Sequence, residues 1–301
     1  MARITNDRPD TVNVGWELTT TCNYHCWYCE DYFHNGKHRW PDLDAALDFF
    51  EELCSKREYV SVDIQGGEPT LWPHLSEFIH RKPKNLSVEI TTNGSRTLDW
   101  WLKNYDKFDQ ITFSFHPDTA KVSHFISVLD AIADGSNHIH VFLIAVQKHK
   151  QKLLNLYHYL KLSDLKLDCN FKILVERVEN KMIRDNNADL DLEFFQKHRF
   201  YKNAVKETMK PTSGFLDGKK IDFHELKVNN KEDFRGWTCN AGVTRLWIKA
   251  NGDIYRASCS NEPKIGNIYF DTNIFDVQPT TCRTKVCPCR DDIVVEKWQT
   301  D

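Results

Sequence analysis

Three cysteines with metal-binding spacing follow an extended apolar segment near the start of the chain. Cys22, Cys26 and Cys29 form a C-x-x-x-C-x-x-C pattern directly after the apolar run at residues 12–18. Three thiolates on one short loop can hold three irons of a cubane cluster and leave the fourth iron open. A zinc site normally needs four protein ligands, and no fourth cysteine or pair of histidines lies nearby in sequence. The pattern therefore favours a cluster that binds and reduces a ligand.

Two glycine-containing motifs follow the next strand-like runs. Gly66-Gly67-Glu68-Pro69 comes after the run at residues 59–64, and Thr92-Asn93-Gly94 comes after the run at residues 86–90. Two glycines permit a backbone path that other residues cannot follow, and a close approach to a ligand. With the cysteine loop and the aromatic Tyr28 before Cys29, these motifs in this order resemble the radical S-adenosylmethionine (SAM) enzymes.

This resemblance implies a fold and a set of cofactors. The fold is α/β, with an open partial (β/α)6 barrel, and the cofactors are a [4Fe–4S] cluster on Cys22, Cys26 and Cys29 and S-adenosyl-L-methionine at its open iron. The glycine motif is expected to meet the SAM ammonium group, and Ser114 to touch the SAM carboxylate. Arg177 is expected either to bind that carboxylate or to form a surface ion pair. The cofactor-binding residues implied in this way are Tyr28, Gly66, Gly67, Glu68, Pro69, Asn93, Ser114 and Arg177.

The periodicity of the chain supports the same architecture independently. Strand-like and helix-like patterns alternate through residues 1–178, which is typical of parallel α/β proteins, and six repeats are visible. Cys54 and Cys169 each share the spacing of an apolar stripe, so we predict that both are buried core residues. His116 follows the fourth strand and is expected either at the ligand-binding edge of the sheet or as a plain loop residue.

The composition excludes several classes of protein. The chain has 301 residues, of which 41% are hydrophobic, and a formal net charge of −3. Such a charge gives no electrostatic basis for binding nucleic acid or an anionic membrane. No apolar run approaches the length of a membrane span. Residues 1–10 are polar, so we expect no signal peptide, no peptide-binding domain before the first strand and a cytoplasmic location. Ten cysteines in such a chain indicate metal ligands rather than disulfides.

Half of the cysteines lie near the end of the chain. Residues 179–235 read as a linker with one helix and one hairpin, and residues 236–301 as a small α+β module with Cys239, Cys259, Cys282, Cys287 and Cys289. A predicted hairpin brings the first two of these together. The order resembles the twitch or SPASM extension of radical SAM enzymes, which implies an auxiliary [4Fe–4S] cluster. Cys239, Cys259 and Cys287 are the preferred ligands, and Cys282 and Cys289 compete for the fourth place. A structural zinc on four of the five is the alternative.

The resemblance also implies a reaction. Reductive cleavage of SAM yields a 5′-deoxyadenosyl radical, which removes hydrogen from a small polar metabolite or a peptide side chain. The expected partners are that substrate and an electron donor such as flavodoxin or ferredoxin, and the expected outcome is a net oxidation assisted by the auxiliary cluster. A redox-neutral epimerase or rearrangement enzyme, with Cys169 or the spare cysteine as hydrogen donor, and a non-catalytic iron–sulfur or zinc scaffold remain alternatives. No residue identifies the substrate or a catalytic acid or base.

Overall fold

The computed structural model describes most of the chain. The described residues are 2–38, 40–178, 181–184, 191–203, 213–222, 226, 231–259, 263–270, 274, 276–287 and 289–299, and the side chains of 175–178, 181–184 and 192 are outside the description. No helix within these ranges combines the length and the apolar character that crossing a membrane requires.

Six consecutive parallel strands form the centre of a ten-stranded sheet. Their order in the sheet follows their order in the chain, the arrangement that repeated β-α-β units produce. This confirms the predicted α/β fold with six strand–helix repeats. The strands are β2 (Thr11–Thr19), β3 (Tyr59–Gly66), β4 (Leu86–Thr92), β5 (Gln110–Phe115), β6 (His138–Ile144) and β7 (Asp168–Lys172).

Five helices connect these strands and cover one face of the sheet. Asp42 caps the first, because its carboxylate accepts the N–H of Ala45 at 2.9 Å. Phe50 and Cys54 of that helix are buried in the main core, as their spacing predicts. The helices are α1 (Leu43–Lys56), α2 (Leu75–Arg81), α3 (Leu98–Asn104), α4 (Val122–Ile132) and α5 (Lys150–Leu162).

The two faces of the parallel strands differ sharply in polarity. Since successive side chains of a strand point to opposite faces, the apolar set of each strand packs against the helices, as Val12, Val14 and Trp16 do in β2. The other set is polar and includes Asn13 and Glu17. We call this second face the inner face of the barrel, and it carries the residues discussed below.

The C-terminal residues extend the same sheet. Strand β14 (Arg245–Ile248) pairs with β2 in parallel, and the predicted hairpin continues into β15 (Asp253–Tyr255), which pairs with β16 (Gly266–Asn267). At the opposite edge β10 (Arg199–Phe200) pairs antiparallel with β7. The described part of the C-terminal module is thus bonded directly to the first strand of the barrel.

A second sheet brings the two ends of the chain together. A strand at the N-terminus that the sequence pattern did not predict pairs with two strands from the last third of the chain. In sheet order the strands are β12 (Lys219–Lys220), β11 (Gly214–Leu216), β1 (Arg3–Asn6), β18 (Lys297–Trp298), β13 (Thr238–Cys239) and β17 (Thr280–Thr281). Strands β11 and β12 form the hairpin expected in the linker, and Asp217 and Gly218 turn it at φ of 49° and 79°.

The sixth parallel strand is shorter than its alternation suggests. It ends at Lys172, and the residues that follow form a separate hairpin of β8 (Val175–Val178) and β9 (Lys181–Arg184). Cys169 in β7 is fully buried in the main core, as predicted. The linker contains the expected helix, α6 (Leu192–Lys197). The domain boundaries at 178/179 and 235/236 stay predictions.

Candidate functional site

A cavity of about 350 Å³ lies at the carboxyl ends of the barrel strands. This is the edge of a parallel sheet where ligands bind in α/β proteins. The cysteine loop forms one wall, and the ends of β3, β4, β5 and β7 form the others. The lining residues are Glu17, Cys22, Tyr24, Cys26, Cys29, Phe33, Gln65, Gly66, Gly67, Glu68, Thr91, Thr92, Asn93, Ser114, His116, Lys172 and Trp247.

The cysteine loop leaves β2 and folds back over the cavity. Its geometry is fixed by short backbone bonds, since the N–H of Cys29 donates to Cys26 O at 3.0 Å and the N–H of Tyr24 donates to Cys22 Sγ at 3.3 Å. Cys26 is buried, Cys22 is half-buried and Cys29 is exposed. All three predicted ligands therefore line one cavity, with one of them open to solvent.

Burial makes these thiols poor acids. The pKa of Cys22 is raised to about 12, chiefly by burial; the carboxylate of Glu68 and the other two thiols contribute to this rise, and the N–H of Tyr24 opposes it. Burial is also the largest cause of the raised pKa of Cys26 and of Cys29. A metal ligand must be a thiolate, so iron binding here has to displace protons that the fold otherwise retains.

The two glycines of the second motif are required by close backbone contacts. Gly66 has φ of 123°, in the region that favours glycine. A Cβ on Gly67 would lie 2.2 Å from Thr21 O, and its N–H donates to Thr19 O at 2.8 Å. The motif therefore packs against the start of the cysteine loop, and any larger residue would push the two apart.

Glu68 is directed into the protein and joins two loops. It is 1% exposed. Its Oε1 accepts from Thr70 Oγ1 at 2.6 Å, from Thr70 N at 3.0 Å and from Thr92 Oγ1 at 2.7 Å, and its Oε2 accepts from Asn93 N at 2.7 Å. Burial raises its pKa, and these donors oppose the rise. With four donors on its carboxylate, Glu68 orders the glycine motif and the turn after β4.

Asn93 connects that turn to the cysteine loop. Its Nδ2 lies 2.9 Å from Asn23 Oδ1 and 3.9 Å from Cys22 Sγ. Ser114 lies at the end of β5, is 6% exposed and borders the same cavity. The cysteine loop, the glycine motif, Asn93 and Ser114 are thus brought to one place from four segments of the chain.

Tyr28 and Pro69 lie behind the cavity wall. Neither belongs to its described lining. The Tyr28 ring is stacked with the ring of His116 at an interplanar angle of 10°, and its hydroxyl is 3.0 Å from His116 Nδ1. His116 Nδ1 is in turn 3.4 Å from Cys26 Sγ. Pro69 is buried and begins a turn of 3₁₀ helix. The side chain of Arg177 is outside the described part of the structure.

The cavity lining includes charged and aromatic residues that were not predicted, among them Glu17, Trp247 and Lys172. Glu17 accepts from Trp247 Nε1 at 3.1 Å and from the Tyr32 hydroxyl at 3.4 Å, and burial raises its pKa. Trp247 reaches the cavity from β14 and lies over Gly15, where a Cβ would meet its ring at 2.3 Å. Lys172 ends β7. It is exposed to the open cavity but surrounded by protein on its other sides, and this burial lowers its pKa.

The C-terminal cysteines are grouped around the second sheet. Cys239 ends β13 opposite Thr280, and Cys282 continues the pairing because its N–H donates to Trp237 O at 2.8 Å. Opposed residues and residues two apart share a face, so Cys239 and Cys282 lie diagonally on one face. Cys259 packs against the small cluster that contains Cys239.

The last two cysteines have different surroundings. Cys287 is buried in an apolar cluster that Cys282 contacts. Cys289 caps the helical turn α7 (Arg290–Ile293), since its Sγ accepts from Asp292 N at 3.4 Å, and the Ser258 hydroxyl is also 3.4 Å away. The five C-terminal cysteines therefore lie near one another, both the three preferred ligands and the two candidates for the fourth place.

The residues present fit the cofactors that the sequence implies. The three thiols face a cavity rather than the core. Beside them Gly66 and Gly67 keep the wall free of side chains. Such a donor set suits three irons of a cubane, and the remaining volume is left for a ligand on the fourth iron.

Known proteins resemble this chain in sequence and in structure. The model of the radical SAM superfamily matches residues 16–155. A probable GTP 3′,8-cyclase of Thermococcus kodakarensis is 30% identical over 141 residues, which cover 42% of this chain and 43% of that protein. An S-adenosylmethionine-dependent nucleotide dehydratase of a Fibrobacter species is 30% identical over 93 residues, or 28% of each chain. The matches thus span less than half the length of these relatives.

A solved structure resembles nearly the whole chain. Native anSMEcpe with bound AdoMet and a Cp18Cys peptide superposes with a TM-score of 0.54 at 13% identity, covering 89% of this chain and 81% of that one. At this identity the likeness shows the fold, including the part beyond residue 155. The matched stretch contains the cysteine loop and makes up a little under half of the chain. Over that stretch the chain is similar to the radical SAM superfamily, whose members bind a [4Fe–4S] cluster and SAM.

Proposed function

We propose that this protein is an enzyme that cleaves SAM reductively and removes hydrogen from a polar substrate in the barrel cavity. The observation that carries the proposal is the cavity itself, where three thiols, a glycine-lined wall and a set of polar inner-face residues meet. A reduced [4Fe–4S] cluster held there would supply the electron for cleavage of SAM to methionine and a 5′-deoxyadenosyl radical. The protein's own residues bind, orient and shield the reactants.

Cys22, Cys26 and Cys29 would hold the cluster in this scheme. Cys26 Sγ lies 3.4 Å from His116 Nδ1 and also bonds to the Tyr28 hydroxyl, and stacking against Tyr28 orients the imidazole ring. Cys29 is exposed, which gives an external donor such as flavodoxin or ferredoxin a short route for the electron. Tyr28 would therefore support the cluster through Cys26 and His116 rather than touch SAM.

Four segments would hold SAM against the open iron. The backbone of Gly66 and Gly67 is accessible at the wall and suits the ammonium group, whereas the carboxylate of Glu68 is occupied by its four donors. We assign Glu68 and Pro69 to positioning that backbone. Asn93 and Ser114 face the cavity with groups that can bond to the amino acid part of SAM. We also propose Arg177 as a partner for the SAM carboxylate.

The C-terminal cysteines would hold one auxiliary cluster. A tetrahedral zinc with bonds of about 2.3 Å requires sulfurs about 3.8 Å apart. Within the described residues no three cysteine sulfurs come within 4.8 Å of one another. A cubane spreads its thiolates more widely because each binds a different iron. This spacing supports a cluster over zinc, and we propose Cys239, Cys259, Cys282 and Cys287 as its ligands.

The substrate is proposed to be a small polar metabolite or a peptide side chain, and the outcome a net oxidation. The cavity offers Lys172 and Glu17, charges of both signs, beside Gln65 and Trp247. The relatives are named for nucleotide substrates and the structural neighbour was solved with a peptide. In a redox-neutral reaction Cys169 would not serve as hydrogen donor, since it is fully buried on the face opposite Lys172. The auxiliary cysteines would hold the electron acceptor.

Release of 5′-deoxyadenosine tests the proposal. Anaerobically reconstituted protein with SAM and dithionite should release it slowly even without substrate, and Cys26→Ala should abolish the release. Cys54→Ala is the matched control, because that buried cysteine lies in α1 away from the cavity, and it should behave like the wild type. A non-catalytic scaffold would release no 5′-deoxyadenosine, and equal release by Cys26→Ala would contradict the assignment of the trio.

A further inference from the structure

A group of metal-ligating side chains lies at the other end of the barrel. His138 and His140 belong to β6 and Asp168 to β7. One imidazole nitrogen of each histidine and one carboxylate oxygen of Asp168 lie within 4.8 Å of one another. In the described part of the chain no other set of three such groups is as close.

The strand geometry explains why these three side chains converge. His138 and His140 are two residues apart and so share a face, and Asp168 is the direct partner of His140 in the parallel pairing of β6 and β7. Lys172 is four residues further along β7, on the same inner face. At about 3.3 Å per residue the group is roughly 13 Å from the Lys172 end of the strand. It is therefore separate from the cysteine cavity.

Neighbouring groups orient the donors. Asp168 Oδ1 accepts the N–H groups of Lys202 at 2.8 Å and of Asn203 at 3.1 Å, while Oδ2 lies 3.3 Å from His138 Nε2. One ring nitrogen of His140 bonds to Asn170 Oδ1 at 2.7 Å. Supporting bonds of this kind fix the ring and carboxylate of a metal ligand. They also leave one oxygen of Asp168 directed at the histidines.

One further feature points to a missing partner. His138 Nδ1 is buried and has no hydrogen-bond partner among the described residues. Leaving such an atom unpaired in the protein interior is unfavourable. An ion pair between His138 and Asp168 alone would explain neither why His140 lies so close to them nor why His138 Nδ1 has no partner.

We propose that His138, His140 and Asp168 form a three-ligand site for a divalent first-row transition metal, with water in the remaining positions. Two imidazoles and one carboxylate match the donors that Zn²⁺, Ni²⁺ and Fe²⁺ accept. The histidines are partly exposed, so an ion can enter from solvent. The site contains no thiol and is independent of both cysteine groups.

Nickel binding to the cluster-loaded protein tests this proposal. Ni²⁺ is the probe because imidazole suits it and because iron occupies the cysteines assigned to the two clusters in that form. Equilibrium dialysis with elemental analysis should find about one Ni²⁺ per chain in the wild type. His138→Gln and His140→Gln should each weaken binding at least ~10-fold, with cluster absorbance showing that the variants remain folded. His80→Gln, an exposed histidine of α2, should bind like the wild type.

A second readout needs no variant. In the wild type Ni²⁺ should protect His138 and His140 from carbethoxylation by diethyl pyrocarbonate and leave His80 reactive, as mass spectrometry of peptides reports. If His138 and His140 are carbethoxylated to the same extent with and without Ni²⁺, the proposal is wrong. Undiminished nickel binding by both glutamine variants would overturn it as well.

Discussion

At the scale of single residues, Glu68 has surroundings that its motif did not indicate. Its position after two glycines suggested a group that meets SAM directly. Its carboxylate instead accepts four hydrogen bonds from Thr70, Thr92 and Asn93. Hydrogen bonds between buried groups order the segments that carry them. Glu68 therefore maintains the relative position of the glycine motif and the turn after β4.

Glu68→Gln tests this role. The substitution replaces one acceptor oxygen by an NH₂ group that faces donors, and an unsatisfied buried donor costs about 1–3 kcal/mol. We expect the free energy of unfolding to fall by about that amount and the affinity for SAM to fall with it. Anaerobic thermal unfolding with and without SAM measures both.

The control for this substitution is Glu51→Gln, an exposed glutamate of α1 that should leave both quantities unchanged. If Glu68→Gln keeps the stability of the wild type but loses SAM affinity, Glu68 binds SAM directly and its positioning role is wrong.

The sequence predicts some residues of the cavity better than others. The cysteine trio, the two glycines, Asn93 and Ser114 carry local motifs, and all of them line the cavity. Lys172 and Glu17 carry no motif, although each lies on the inner-face spacing of its strand. Trp247 has no local signal at all, because its position depends on β14 pairing with β2, more than two hundred residues earlier in the chain.

At the scale of elements, the alternation of apolar and polar residues predicted most strands of the barrel but not the short strands at its edges. The six parallel strands and the hairpin of β14 and β15 follow from alternation and turn residues. Strands β1 and β10 are only four and two residues long, and their pairing partners are remote in sequence. Short strands carry too little periodicity to be recognised, and remote pairing leaves no local pattern.

The elements also separate the two cysteines that compete for the auxiliary cluster. Cys282 follows β17 and shares a face with Cys239. Burial and Asp292 raise the pKa of Cys259 to about 11, and the nearby thiols of Cys239 and Cys282 add to the rise. Cys289 instead caps α7. Proximity to two other thiols favours Cys282 as a ligand.

Counting the iron bound per chain distinguishes Cys282 from Cys289 as the fourth ligand. Reconstituted wild type should hold about eight irons per chain, and Cys282→Ala about four. Cys289→Ala should keep about eight, as should the control Cys54→Ala. Loss of four irons from Cys289→Ala but not from Cys282→Ala would reverse the assignment, and about four irons in the wild type would remove the auxiliary cluster altogether.

At the scale of the whole molecule, the C-terminal residues are built into the barrel. Strand β14 bonds to β2, the strand that leads into the cysteine loop, and Trp247 carries that contact into the cavity. A buried ion pair joins the same strand to the last helical turn, with Arg245 Nε 3.0 Å from Asp292 Oδ1. The sequence identified both cysteine groups but gave no indication of this connection, since parallel pairing depends on the complete fold.

The central claim is that the cluster on the cysteine trio receives SAM inside the cavity. Electron paramagnetic resonance of the dithionite-reduced protein, recorded with and without SAM, tests it most directly. We predict that SAM alters the g-values of part of the signal in the wild type and in Cys54→Ala, and alters nothing in Cys26→Ala. A reduced wild-type cluster whose spectrum is the same with saturating SAM, or a SAM-dependent change that persists in Cys26→Ala, would contradict the account.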